Sequence, residues 1–127
     1  MISYQYLFKK IYNLFINNLD VNTQIQVNKV VTLATVAVKF LERPGLAPTT
    51  RRTYELTLST LLSEYGSWSI EILSKQTLVE YLKSLGHLKY TTHHKHQAIL
   101  QSLLNFAVEQ GYIKFNPIHG LKQRLPD

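Results

Sequence analysis

Two clusters of hydroxyl and cationic side chains have the chemistry to bind phosphate. Threonine hydroxyls and arginine forks bind phosphate oxygens and can also reach base edges. Each cluster lies at a predicted helix start, where backbone N–H groups favour an anion. The first cluster contains Thr49, Arg51, Arg52, Thr53 and Thr57, and the second contains Lys89, Thr91, Thr92, His94 and Lys95.

Both clusters also have a simpler interpretation. The first is then a polar face in contact with water, on which Arg51 or Arg52 pairs with Glu55 one turn later. The second is then a helix cap formed by Thr91 or Thr92, followed by exposed histidines. The residues alone leave these alternatives open.

The histidines raise the question of a metal site. His93 and His96 are three residues apart, a spacing at which two histidines on one helix can share a metal. A complete site needs a third and a fourth ligand, and no cysteine or nearby carboxylate supplies one. We therefore expect no metal and no cofactor.

Composition limits the class of protein. The 127 residues suit one domain, and an apolar fraction of 45% is typical of a globular chain. The absence of cysteine excludes disulfides, thiolate metal sites and cysteine catalysis. The most apolar run, Val30 to Val38, is too short to span a bilayer, and the N-terminus does not resemble a signal peptide. A cytoplasmic protein fits these features.

The net charge of +6 is concentrated at the two ends of the chain. Residues 1–41 carry +3, residues 42–85 are neutral, and residues 86–126 carry five basic residues against Glu109 alone. All five histidines also lie in the C-terminal third. A basic surface there would attract polyanions, with DNA or RNA first and an anionic membrane second.

Hydrophobic periodicity predicts helices nearly throughout, with no strand pattern and no repeat. Local signals set the boundaries: proline at a first helical position, a serine N-cap, a Leu73–Leu78 hydrophobic staple, and glycines at helix ends. The predicted helices are Ser3 to Asn17, about Gln24 to Glu42, Pro48 to Gly66, Ser74 to Gly86 and Thr91 or Thr92 to Gly111, with a short helical turn through Leu121. The predicted fold is all-α: a compact bundle of four helices from about Val27 to Leu121, preceded by an extra N-terminal helix.

Three stretches of this pattern carry a family resemblance. The first is Thr50, Tyr54 and Leu58 at a helix start, and the second runs from Trp68-Ser69 to Ser74, Leu78, Tyr81 and Leu82. The third is Thr92, Ile99, Leu103, Phe106-Ala107-Val108, Gly111, Ile113 and Asn116-Pro117. In this order and at these separations they resemble the SAM-like core-binding domain of tyrosine recombinases, the phage-integrase family. The resemblance covers residues 28–123, with 1–27 as an N-terminal extension and 124–127 as the start of a linker.

The resemblance implies a function in DNA recombination and integration. Such a domain clamps one face of double-stranded DNA, and it meets other recombinase subunits on the DNA. The two helix starts are expected to face the same way, toward the major groove, while Lys114, Lys122 and Arg124 follow the DNA backbone. The family's catalytic residues lie in a separate domain, so this chain alone is expected to have none and not to cleave DNA. Neither a membrane nor a small-molecule substrate is implied.

The sequence also departs from the family pattern. Ala47 replaces the small polar residue often found before the helix at Pro48, so that side-chain cap is lost. His93, His94 and His96 replace some of the basic residues common after Thr92. Two other functions remain open: a stand-alone helical DNA-binding regulator, and a protein–protein module that docks through the helix Ser3 to Asn17.

Overall fold

The computed structural model describes residues 30–127, and the chain divides into two units after Ile70. The described residues form four α-helices and no strand, so the predicted all-α class is confirmed for this part of the chain. The predicted helix Ser3 to Asn17 lies outside the described residues. The helices are α1 (Leu33–Glu42), α2 (Pro48–Tyr65), α3 (Lys75–Ser84) and α4 (Tyr90–Glu109), with a short 3₁₀ turn at Ile70–Ile72.

The first unit begins with a capped helix. The backbone of Thr32 is extended, and its hydroxyl oxygen accepts a hydrogen bond from the Thr35 N–H at 3.2 Å. The N–H groups of Leu33 and Ala34 donate to carbonyl oxygens of the loop after α2, both at 2.9 Å. Among the described residues, the predicted helix from about Gln24 to Glu42 therefore begins only at Leu33, because Thr32 caps it there, and its predicted end at Glu42 is confirmed.

Helices α1 and α2 pack against each other. Phe40 is fully buried, and its ring stacks on Tyr54 with a centroid distance of 5.5 Å. The Arg43 guanidinium lies 4.0 Å from the centroid of the Phe40 ring, at a distance typical of a cation–π contact. The buried side chains of this unit include Leu33, Val36, Ala37, Phe40, Leu41, Leu58, Leu61, Leu62 and Ile70.

The predicted limits of α2 are confirmed. Pro48 is the first helical residue, where its missing N–H costs no hydrogen bond. Gly66 is the C-cap, and its N–H donates to the Leu62 carbonyl. Ala47 stands at the N-cap and provides no side-chain hydrogen bond, as expected.

In the second unit, α3 packs against α4. Ser74 caps α3, and its hydroxyl accepts from the Thr77 N–H at 3.1 Å. Leu73 and Leu78, the predicted staple pair, are both buried. The helix ends at Ser84, two residues before the predicted Gly86, whose N–H donates to the Lys83 carbonyl.

The end of α4 is fixed by Gly111. This glycine has a φ of +80°, and the N–H groups of Gly111 and Tyr112 donate to the carbonyls of Val108 and Ala107. These two bonds form a Schellman motif, which requires the left-handed conformation that glycine adopts without strain. Beyond it the chain makes turns around Asn116 and Ile118, where a short helical turn was predicted.

Candidate nucleic-acid interface

The start of α2 is a helix opening without an acidic residue. Its N-cap supplies no side-chain hydrogen bond, and its first turn carries no Asp or Glu. Thr49, Arg52 and Thr53 are exposed there, while Arg51 is half-buried. The positive end of the helix dipole and the positive charges of the arginines therefore lie together at the start of α2, and both favour a bound anion. We call these four residues the α2 surface.

Two hydrogen-bond details decide what the α2 surface offers. The Thr53 hydroxyl donates to the Thr49 carbonyl oxygen at 3.1 Å, so its proton is already used. The Arg51 Nε is buried and has no hydrogen-bond partner among the described residues. A phosphate oxygen needs a donor, which leaves Arg52, Thr49 and the terminal nitrogens of Arg51 as the better candidates.

Thr57 does not belong to the exposed part of α2. Its side chain is only 8% exposed, since it lies one turn from Tyr54 on the side that carries Leu58 and Leu61. A buried hydroxyl cannot reach a phosphate. We therefore leave Thr57 out of the α2 surface, although its residue type suggested a contact. Glu55, the acid of the alternative interpretation, is buried as well, at 4% exposure.

Helix α4 starts before the two threonines that were predicted to begin it. Lys89 is the N-cap and Tyr90 the first helical residue, so the prediction that Thr91 or Thr92 caps the helix is wrong. Lys89 provides no side-chain cap. The Tyr90 N–H instead donates to the carboxylate of Asp127, with 3.1 Å between nitrogen and oxygen. An acid 37 residues later in the chain thus takes the place of a local cap.

The first two turns of α4 expose a second group of donors and cations. No acidic residue lies in the first turn, and the next one along the chain is Glu109 at the helix end. The His94 ring lies 5.8 Å from the Tyr90 ring. The exposed members, which we call the α4 surface, are Lys89, Thr91, Thr92, His94 and Lys95.

The remaining histidines of this turn have structural environments. His93 is 5% exposed, and its Nε2 lies 2.9 Å from the Leu82 carbonyl oxygen. His96 is half-buried, and its pKa is lowered by that burial first and by the positive charge of His93 and Lys95 second. Within residues 30–127, no three His, Asp or Glu side chains are grouped as metal ligands.

The three cations beyond α4 differ in how available they are. Lys114 and Lys122 are exposed. Arg124 is engaged: one terminal nitrogen donates to the Gly86 carbonyl at 3.0 Å, and the other pairs with Asp127 at 2.9 Å. The Arg124 nitrogen that pairs with Asp127 could donate to DNA in that direction only after the carboxylate leaves. The contact of Asp127 with Tyr90 was not predicted from the sequence, because the two residues are 37 positions apart.

A buried glutamine holds the chain that leads to Arg124. Gln97 is 2% exposed, and its amide donates to the carbonyls of Leu121 and Lys122 at 3.2 and 3.3 Å. Together with α3 and α4, this segment lines an open pocket of about 350 Å³. Gln97 was missed as a positioning residue, although it follows His93 by one turn and belongs to the buried side of α4.

Comparison with known protein families, with curated proteins and with solved structures finds no match to this chain. None of the helices among residues 30–127 combines the length and the apolar character that a membrane crossing requires.

Proposed function

We propose that this chain is a DNA-binding domain of the tyrosine recombinase type, of the SAM-like core-binding class and acting in the cytoplasm. Its role would be to hold duplex DNA, together with other recombinase subunits, while a separate catalytic domain exchanges strands. The sequence motifs at Thr50, Tyr54 and Leu58, and from Thr92 to Pro117, support the family.

One observation carries the binding function: two helix starts expose cations and hydroxyls, carry no acidic residue in the first turn and have no side-chain cap from their N-cap residue. Most hydrogen bonds between proteins and DNA go to the phosphate and sugar backbone, from side chains of these types and from helix N-termini. The α2 surface and the α4 surface each have this composition. Each is therefore proposed as a phosphate-contacting surface in its own right.

Charge-matched variants test the proposal. Arg52→Ala and Lys95→Ala each remove one cation from a proposed surface. We expect each to weaken binding to a short duplex by about threefold to tenfold, and to lower the slope of log affinity against log salt by about one. The measurement is fluorescence anisotropy at several salt concentrations.

Two controls remove the same charge elsewhere. Lys39→Ala, in the last turn of α1, is the control for Arg52, and Lys75→Ala, at the start of α3, is the control for Lys95. Equal losses in a variant and its control would mean that only net charge attracts DNA, and would overturn the assigned surfaces. Loss of both Arg51 and Arg52 should weaken binding more than loss of Arg52 alone.

Protein–protein docking is the second candidate, and it rests on exposed apolar side chains. Phe115 is 73% exposed and Leu125 is 84% exposed. Single exposed apolar residues are common on soluble domains, so this observation is weaker than the two helix starts. If the wild type binds no duplex at low salt, and Phe115→Ser abolishes a concentration-dependent association seen in sedimentation, the docking function replaces the DNA-binding one.

A further inference from the structure

The carboxylate of Asp127 lies where the proposed function places a phosphate. Its two oxygens accept from the Tyr90 N–H at 3.1 Å and from the Arg124 guanidinium at 2.9 Å. A backbone N–H at a helix start and an arginine fork are also the donors that bind a phosphate monoanion or diester. The same two donors therefore suit either anion, but not both at once.

We propose that Asp127 is an internal competitor of DNA phosphate at the start of α4, an inference that rests on the proposed function. While Asp127 is bound, the Tyr90 N–H and one terminal nitrogen of Arg124 are occupied, and a negative charge lies at the start of α4. When Asp127 leaves, both donors and their positive charge become available to the DNA backbone. The contact is autoinhibitory, because it masks part of the surface that binds.

The two ends of this C-terminal segment are held with different strength. Gln97 fixes the carbonyls of Leu121 and Lys122 from a position that is 2% exposed. The Arg124–Asp127 ion pair lies at the surface, with the two side chains 23% and 69% exposed. Exposed ion pairs are weak and are screened by salt. The Asp127 end can therefore open while the Gln97 end stays in place.

The expected change in DNA affinity depends on the fraction of time that Asp127 is bound to the Tyr90 N–H and to Arg124. If Asp127 occupies its donors about 80 to 90% of the time, the open fraction is about 10 to 20%, and apparent DNA affinity falls about fivefold to tenfold. Asp127→Asn removes the charge while keeping the size of the side chain. We expect it to tighten DNA binding by about that factor.

Glu109→Gln is the matched control. It removes one negative charge from the same unit, from an exposed residue at the other end of α4. At a rise of 1.5 Å per residue this position is about 28 Å from Tyr90. If the loss of one negative charge alone tightens DNA binding, both variants should show the gain. If the release of the Tyr90 and Arg124 donors tightens it, the gain should appear only in Asp127→Asn.

The experiment measures duplex affinity by anisotropy, and also the Tyr90 amide signal by NMR during titration with inorganic phosphate. Tighter duplex binding by Asp127→Asn than by Glu109→Gln, with a larger phosphate-induced shift at Tyr90 than in the wild type, supports the inference. Equal duplex affinities of the two variants overturn it and leave the proposed function standing.

The phosphate titration separates the two proposals. If no variant binds duplex but phosphate shifts the Tyr90 amide more in Asp127→Asn than in the wild type, the DNA function fails and the competition between anions is supported. If phosphate shifts the amide in neither protein, Tyr90 is not an anion-binding donor and the inference is overturned. Thermal unfolding followed by circular dichroism would show separately whether Asp127→Asn changes the stability of the protein.

Discussion

The Nε2 atom of His93 lies 2.9 Å from the carbonyl oxygen of Leu82 and joins the first turn of α4 to the last turn of α3. A carbonyl can only accept, so the imidazole must donate from Nε2. The other ring nitrogen, Nδ1, is buried and has no hydrogen-bond partner among residues 30–127. The ring is thus a structural link between two helices, held in one tautomer.

Replacement of His93 should destabilise the protein. His93→Ala loses a buried hydrogen bond and leaves a cavity, and we expect the free energy of unfolding to fall by about 2 to 3 kcal/mol. His94→Ala is the control, since His94 is exposed, and should change stability by less than about 0.5 kcal/mol. Urea denaturation measures both. Equal midpoints for the two variants would show that the His93 link does not stabilise the helix pair.

Stability should depend on pH through His96. Its folded-state pKa is lowered, by burial first and by the charge of His93 and Lys95 second. The unfolded chain takes up this proton near its ordinary pKa of about 6.5, while the folded protein takes it up only at lower pH. The contribution of neutral His96 to the free energy of unfolding is therefore fully present above a pH of about 6.5. It decreases as the pH falls below that value, because the unfolded state then binds more protons than the folded state.

The matched comparison is His96→Gln against His119→Gln, an exposed histidine outside α4. Urea midpoints measured from neutral to mildly acidic pH should fall less steeply in His96→Gln than in the wild type. His119→Gln should keep the wild-type slope. If His96→Gln keeps the full slope as well, another group causes the acid sensitivity.

Asn116 should be important for the turn after α4. It is 7% exposed, and its amide nitrogen donates to Gln101 at 2.7 Å and Asn105 at 2.9 Å. Its oxygen accepts from the Ile118 N–H at 2.9 Å. Asn116→Ala leaves these groups without their partner, and we expect a loss of about 1 to 3 kcal/mol in the free energy of unfolding.

Asn105→Ala provides the comparison for Asn116→Ala. Asn105 is exposed and contributes one of the three hydrogen bonds, so its replacement should cost less than about 1 kcal/mol. Chemical denaturation of both variants tests the difference. If Asn105→Ala lowers the free energy of unfolding as much as Asn116→Ala does, the stabilising contacts belong to the surface of α4 and not to the turn.

Helix boundaries set by local signals were predictable from sequence. Pro48, Gly66, Ser74 and Gly111 act through their own backbone preferences or through hydrogen bonds to residues within one turn. Such effects depend on neighbours in the sequence, so residue types and spacing are enough to predict them.

Boundaries set by distant residues were not predictable. The start of α1 combines the local Thr32 cap with hydrogen bonds to the carbonyls of Gly66 and Trp68, and the start of α4 donates a hydrogen bond to Asp127. The competing local signals were helical periodicity before Leu33 and the threonine pair after Tyr90. In both places a tertiary hydrogen bond contributes to the boundary.

The spacing of His93 and Gln97 indicated that both are buried, although their polar residue types suggested exposure. His93 and Gln97 precede Leu100, Leu104 and Ala107 at alternating steps of four and three residues, and all five are buried. This spacing marks one helix face that points to the core. An interpretation by periodicity alone would have placed His93 inside and left His94 and Lys95 outside.

The Ile70 N–H donates to the Val31 carbonyl at 2.8 Å, and Thr32 and Ser69 form an isolated bridge. The unit between them is thus a closed loop whose entry and exit stand side by side. Elements with adjacent termini can be cut out of one chain and inserted into a surface turn of another without stretching the host. Residues 31–70 therefore begin and end at adjacent positions, which is the geometric condition for inserting a segment into another protein. This property follows from how the segment is closed and not from what the protein binds.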